Sequence, residues 1–247
     1  MTYLGEDLII AMGAPGSRWS GTIRTLTLLH KEINMSDESD DLTYDKEYIT
    51  TESGRVRSIG WHRGAYWGPY HKQGHTFDKL DSMSKDEIIN EFQKPFSNWE
   101  YGIKFIKSHW FSYHIPQLIE MFPKAKFLAV YMEDNECFDW WHEVGGWDIK
   151  YPHYTWYNND QRMMNQIKTE NSEILKYFDI KQYRHYELSN ELKLSKDMRT
   201  VDQVCRLDKK IAEAFHEKFS QSEQGKDELV DMIIKRTKCG VITPQLQ

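Results

Sequence analysis

The first thirty residues place an apolar run, a glycine-rich segment and a second apolar run in succession. Leu8–Met12 is continuously apolar, and Gly13–Gly21, which follows it, is rich in glycine, serine and proline. Apolar residues then recur between Thr22 and Leu29 at helical spacing. The order predicts a buried strand, a tight loop and a helix.

A similar order recurs in the middle of the chain. Gly102–Ile106 predicts a second buried strand that closes on Lys107-Ser108-His109, and Ala125–Tyr131 predicts a third. The apolar residues between them are spaced by three and four, as on one helix face: Ile115, Leu118, Ile119 and Phe122. Pro123 ends this predicted helix. Strands joined in this way pair in parallel through a right-handed crossover.

The second half of the chain is predicted to be mostly helical, because two apolar stripes recur at helical spacing. They are Met164, Ile167, Asn171, Leu175 and Phe178, with a polar break at Asn171, and Leu207, Ile211, Phe215 and Phe219. Ser84–Glu87 has the capping-box signature of a shorter helix start. Without an internal repeat or long linker, we expect one α/β domain over residues 1–247, a central parallel sheet flanked by helices.

Composition then narrows the class of protein. The 247 residues carry 32 Lys and Arg against 38 Asp and Glu, a net charge of -6. This balance argues against a nucleic-acid binder, whose affinity comes largely from neutralising phosphates. There is no apolar run long enough for a membrane span and no signal-peptide pattern. We therefore expect a soluble, cytoplasmic protein with neither nucleic acid nor membrane as a partner; its oligomeric state stays open.

No metal site or disulfide framework is predicted. The three cysteines are far apart and include no Cys-x-x-Cys pair. His71 and His75 are four residues apart, but Pro69 and Gly74 argue against the helix that would aim both at one metal ion.

The glycine-rich loop carries the strongest chemical signal. Five residues bring a cation, two hydroxyl groups and permissive backbone to the start of the predicted helix: Gly16, Arg18, Ser20, Gly21 and Thr22. Backbone N–H groups and the helix dipole at such a start attract anions, usually phosphates. The motif GxxxxGK[ST] does not fit, since Arg18 and Trp19 would replace its second Gly and its Lys. The alternative is a loop that merely turns the chain.

Several motifs, in this order, resemble those of sulfotransferases that use 3'-phosphoadenosine 5'-phosphosulfate. Gly13-Ala14-Pro15 followed by Arg18-Trp19-Ser20-Gly21-Thr22 is similar to the family's loop, G-x-P-[KR]-S-G-T-T, with residues inserted. Lys107-Ser108-His109 is similar to a Lys-Thr-His that ends a later strand in cytosolic members. Tyr186-Glu187-Leu188 is similar to the Tyr-Glu-Asp-Leu that follows a short strand. The resemblance covers about residues 6–190, with 35–100 unmatched.

The resemblance implies a P-loop NTPase-like fold and transfer of a sulfuryl group from that donor to a hydroxyl or amine, without a metal. The acceptor would be a small molecule or a carbohydrate. It implies a donor site made of Gly16, Ser17, Arg18, Trp19, Ser20, Gly21 and Thr22. His109 would be the general base, with Lys107 and Arg18 near the transferring group.

The region after the third strand departs from the family pattern. Met132 and Trp140 stand where the family has an Arg and a Ser on the donor's 3'-phosphate, and Glu133 and Asp134 add negative charge. Lys235–Gly240 is a candidate replacement, although such a charge run is also typical of a solvated helix end. Two other functions stay open: a kinase or NTPase, and a non-catalytic binding protein that keeps the fold.

The segment 61–75 mixes aromatic rings, glycines and histidines without a regular period. Trp61, Tyr66, Trp67 and Tyr70 either pack against the sheet and cover an edge, or shape a pocket in which a sugar or aromatic acceptor stacks. The sequence favours neither interpretation.

Overall fold

The computed structural model describes residues 3–36, 65–68, 74, 76–143, 159–200, 203–204 and 237–244, with the backbone alone of 48–50 and 56–58. Some predictions fall outside these residues: the apolar stripe at 207–219, the rings of Trp61 and Tyr70, and the pair His71 and His75. Among the described helices, none combines the length and apolar character needed to cross a membrane.

A six-stranded sheet in the order β2-β5-β1-β6-β8-β7 forms the centre of the described structure. Its strands are β1 Leu8–Gly13, β2 Ile33–Asn34, β5 Ile103–Lys107, β6 Lys126–Val130, β7 Lys181–Tyr183 and β8 Thr237–Ile242. Two further strands, β3 Tyr48–Thr50 and β4 Val56–Ser58, pair with each other in an antiparallel ribbon.

The helices lie between these strands along the chain. They are α1 Trp19–Leu29, α2 Lys85–Gln93, α3 Ile115–Met121, α4 Asp134–Glu143, α5 Asp160–Tyr177 and α6 His185–Glu191. Two 3₁₀ helices, Thr76–Ser82 and His109–His114, precede α2 and α3. Helix α2 begins with the predicted capping box, since Ser84 and Glu87 each accept the other's backbone N–H through a side-chain oxygen.

The sheet is mixed rather than wholly parallel. Strand β1 pairs in parallel with β5 and β6, and β2 pairs in parallel with β5. Strand β8 is antiparallel to both of its neighbours, β6 and β7. The predicted parallel sheet is therefore confirmed for four strands and wrong for β8.

Strand β8 also corrects the interpretation of Lys235–Gly240 as a solvated helix end. From Thr237 onward the segment is a strand, with Cys239 and Gly240 buried. A Cβ atom on Gly240 would lie 2.7 Å from Cβ of Phe178, so glycine lets the strand pass beneath that ring. The second half of the chain thus supplies strands as well as the helices α4, α5 and α6.

Both faces of the sheet are covered, which explains why β1 is apolar throughout. Leu8, Ile10 and Met12 belong to an apolar cluster with the 3₁₀ helices, α2, α3 and α5. Ile9 and Ala11 point into a second cluster, with α1 and α6. The crossover from β1 to β2 therefore passes over one face, and the crossover from β5 to β6 passes over the other. In such sheets, ligands bind at the carboxyl ends of the strands, where the crossovers diverge.

The buried face of α5 is shifted by one residue along the chain at two positions of the predicted stripe. Met163 and Ile174 are buried in place of Met164 and Leu175, and Leu175 is 49% exposed. The prediction failed because polar side chains, including Glu170, occupy the buried face and obscure its period.

Candidate functional site

The glycine-rich loop joins β1 to α1, as predicted, and one non-glycine residue in it has a left-handed backbone. Arg18, the residue that caps α1, has φ 64° and ψ 15°. Ser17 N–H donates to the carbonyl of Ala14 at 3.0 Å, which closes a turn just before it. Left-handed backbone at a non-glycine residue costs about 1–3 kcal/mol and concentrates at functional sites.

Helix α4 holds this loop in place through two contacts. Gly16, at φ 81°, lies so close to α4 that an added Cβ atom would be 2.0 Å from the carbonyl oxygen of Cys137. One turn further along, the Arg18 guanidinium lies 4.0 Å from the centre of the Trp140 ring, a cation–π contact. Trp140 therefore contacts the loop arginine directly.

The start of α1 has the features of an anion site. Arg18 makes no side-chain capping hydrogen bond, and the first turn contains no acidic residue. The partial positive charge of the helix start is therefore not balanced by the helix's own side chains. Ser17 is 2% exposed, and its hydroxyl oxygen has no hydrogen-bond partner among the described residues. An anion bound at the loop would balance the charge of the helix start.

The other predicted donor-site residues divide into two groups. The Trp19 ring is buried in the apolar cluster of α1, with its centre 5.8 Å from that of Tyr66, so the ring is part of the core. Gly21 is exposed, with open space around an added Cβ atom, while Ser20 and Thr22 are half-buried in the first turn.

Lys107 and His109 reach the same edge of the sheet from β5. Lys107 is opposite Ala11 of β1 and is 1% exposed. Ser108 N–H donates to the carbonyl of Ala11 at 3.2 Å, which keeps the chain alongside β1 up to His109. The structure thus places Lys107 and His109 at the end of the strand next to the glycine-rich loop.

The described part of segment 61–75 packs against this edge. Tyr66 forms a parallel bridge with Lys107, and Trp67 N–H donates to the carbonyl of Lys107 at 3.0 Å. Both rings are buried, at 3% and 0% exposure. For these two residues the edge-covering interpretation is confirmed.

A buried carboxylate that the sequence did not predict lies against His109. Oε1 of Glu170, on α5, is 3.0 Å from Nδ1 of His109, and neither side chain is exposed beyond 5%. Gln166 Nε2 is 2.6 Å from the same carboxylate oxygen and 2.6 Å from the hydroxyl of Tyr113. Burial, mainly, and the charge of Glu170 raise the pKa of Tyr113 above its ordinary value. The available sequence signal was a Glu between the apolar positions Ile167 and Ile174.

The acidic residues after β6 are already paired. Glu133 accepts from the hydroxyl of Tyr131 at 2.9 Å and from Lys238 at 3.3 Å, and these bonds lower its pKa. Asp134 accepts from the Asn171 amide at 2.8 Å. The basic segment proposed to replace the 3'-phosphate site therefore has its described lysine, Lys238, bound to Glu133.

Comparison of the chain with models of protein families, with curated proteins and with solved structures gave no match. Among the described residues, no group of three or more His, Cys, Asp or Glu side chains could hold a metal ion. The chemistry of the loop and of His109 is therefore the basis on which a function can be proposed.

Proposed function

We propose that the protein transfers a sulfuryl group from 3'-phosphoadenosine 5'-phosphosulfate to a hydroxyl or amine of a small-molecule or carbohydrate acceptor. One observation carries the proposal: the glycine-rich loop with the start of α1, and the buried His109, follow two neighbouring strands, β1 and β5, at the same end of the sheet. The order of the four parallel strands, with β1 between β5 and β6, supports a P-loop NTPase-like fold as part of this proposal.

The loop and its cations would hold the donor. Backbone N–H groups at the start of α1 and the Arg18 guanidinium attract the phosphosulfate, and Lys107 neutralises charge that develops on the sulfuryl oxygens. Sulfuryl transfer, like phosphoryl transfer, gains most from fixed positive groups around a loose in-line transition state.

His109 would act on the acceptor. As its hydroxyl or amine attacks sulfur, the acceptor's proton passes to the imidazole, and the bond between sulfur and the bridging phosphate oxygen breaks. Adenosine 3',5'-bisphosphate leaves with the electron pair of that bond. General-base catalysis of this kind contributes about 10²–10⁴-fold to the rate.

A non-catalytic binding protein is the second candidate. The pairing of Lys238 with Glu133 and the presence of Met132 at the end of β6 favour it, because both weaken the proposed 3'-phosphate site. A kinase or NTPase is less well supported, because its loop lysine is missing.

Donor binding is tested by thermal unfolding with adenosine 3',5'-bisphosphate, with adenosine 5'-phosphate, and with ATP and magnesium. At about 100 times its dissociation constant a ligand stabilises a protein by about 2.7 kcal/mol. For a chain of this size the midpoint should rise by roughly 5–10 °C, with the bisphosphate alone. Arg18→Ala should reduce the shift, whereas Lys124→Ala, which removes a charge before the start of β6, should not. A shift with ATP alone would favour the NTPase, and the absence of a bisphosphate shift would overturn the proposal.

Catalysis is tested with labelled donor and a panel of hydroxyl and amine acceptors. His109→Ala should lose transfer by about 10²–10⁴-fold while keeping the bisphosphate shift. His114→Ala is the matched control, since His114 ends the same 3₁₀ helix. Equal transfer by wild type and His109→Ala would refute the role of His109. Bisphosphate binding without transfer to any acceptor of the panel would favour the binding protein.

A further inference from the structure

We propose that Glu170 is the positioning residue for His109: it fixes the imidazole in the tautomer that carries its proton on Nδ1. The effect of this pairing on catalysis rests on the proposed function. The tautomer of His109 does not depend on that function.

The position of Glu170 is costly for a carboxylate. The side chain is 0% exposed and lies on the buried face of α5, between Ile167 and Ile174. Buried carboxylates occur almost only with a partner, because removing water from around the charge is unfavourable. Two described side chains meet this one, His109 and Gln166. Helix α5 therefore brings a carboxylate to the imidazole at the sheet edge.

The hydrogen bonds fix which ring nitrogen is protonated. An ionised carboxylate can only accept, so Nδ1 of His109, at 3.0 Å from Oε1, must be the donor. A neutral imidazole has one N–H, which leaves the lone pair on Nε2. Under the proposed function, that nitrogen would take the proton from the acceptor.

The carboxylate is itself held in place. Gln166, one turn earlier on α5, donates to the same Oε1 at 2.6 Å, and its amide nitrogen also lies 2.6 Å from the hydroxyl of Tyr113. Tyr113 belongs to the 3₁₀ helix that starts at His109. These contacts link α5 to that 3₁₀ helix and fix the rotamer of Glu170.

The charge of Glu170 is placed to stabilise the protonated ring. Its second oxygen, Oε2, is buried without a hydrogen-bond partner among the described residues. When Nε2 takes the acceptor's proton, the imidazolium forms beside this carboxylate, where attraction is stronger than in water. The proton returns to solvent after the bisphosphate has left.

The tautomer is measured by nitrogen NMR of the protein with ring-labelled histidine, with the His109 signals assigned from His109→Asn. Wild type should show Nδ1 protonated at His109. Glu170→Leu fits the buried face and removes the acceptor, so the ring should change to the Nε2–H form. Glu170→Gln keeps an acceptor oxygen without the charge, and Glu173→Gln on the same helix is the control. A wild-type ring protonated on Nε2, or no change in Glu170→Leu, would overturn the proposal.

Kinetics separate this proposal from the proposed function. Glu170→Leu should lower kcat by about 10²–10⁴-fold with little change in KM, because donor binding depends on the loop. Glu170→Gln should fall between Glu170→Leu and the Glu173→Gln control. A kcat unchanged in Glu170→Leu, despite the changed tautomer, would refute its role in catalysis. If the tautomers were as expected but the protein transferred no sulfuryl group, the proposed reaction would be wrong and the pairing of Glu170 with His109 would stand.

Discussion

The contact between the glycine-rich loop and α4 predicts opposite effects for two glycine-to-alanine substitutions. Gly16 has φ 81°, and a Cβ atom there would lie 2.0 Å from the carbonyl oxygen of Cys137. Gly21 lies five residues later, in the first turn of α1, and an added Cβ atom meets no atom within 4 Å. The two substitutions add the same methyl group to one short stretch of chain.

The magnitudes follow from these two environments. In Gly16→Ala the left-handed backbone costs about 1–2 kcal/mol. Moving the loop or α4 to relieve the backbone clash adds about 1–3 kcal/mol, as at other overpacked sites. We therefore expect a loss of about 2–5 kcal/mol from the free energy of unfolding. Gly21→Ala should instead gain about 0.5–1 kcal/mol, because alanine is the better helix former.

Equilibrium unfolding in urea measures both changes from the transition midpoints, with the slope as a check that the unfolding reaction is unchanged. If Gly16→Ala unfolded within about 0.5 kcal/mol of wild type, the size of an ordinary surface substitution, the loop could not lie against α4 as described. A loss in Gly21→Ala as large as in Gly16→Ala would show a general sensitivity of this stretch to any side chain.

Three further predictions address stability and reactivity elsewhere. Burial lowers the pKa of His30, so the unfolded chain protonates this imidazole more readily than the folded protein does. As the pH falls below about 6.5, the free energy of unfolding should decrease by at most about 1.4 kcal/mol per pH unit. Urea titrations of His30→Gln should show a flatter pH dependence. Burial raises the pKa of the Cys137 and Cys239 thiols to about 12. At about pH 8, iodoacetamide should therefore leave both thiols unmodified in the native protein and modify both in urea. If peptide mass spectrometry found either thiol modified in the native protein, that result would contradict their burial. In urea unfolding, Ile174→Ala should lower the free energy of unfolding by about 2–5 kcal/mol and Leu175→Ala by no more than about 0.5 kcal/mol. The reverse order would show that Leu175, as predicted from the sequence, is the buried residue.

The sequence predicted best the elements whose local pattern and burial agree. Strand β1 is buried on both faces, so its apolar run and the glycines after it were sufficient. Strand β8 was not predicted, because its apolar residues are few and follow a run of basic ones. Its conformation depends on pairing with β6, which lies far away along the chain.

The candidate site shows the same division. The loop was predicted because it follows a recognisable strand, and Lys107 and His109 were predicted because Lys107-Ser108-His109 resembles a Lys-Thr-His motif at a strand end. Glu170 was not, because its partner His109 is 61 residues away and a Glu among apolar helix positions looks like a break in the pattern. The contact of Trp140 with Arg18 was also missed, since it depends on how α4 packs over the loop.

The late position of β8 in the chain has a consequence for synthesis on the ribosome. Strand β6 has an open hydrogen-bonding edge until β8 pairs with it, and β7 joins the sheet through β8. At roughly 5–20 residues per second, the nascent chain exposes that apolar edge for on the order of ten seconds. Unpaired apolar edges are templates for association with other chains, so this interval is when a chaperone would be most useful to the protein.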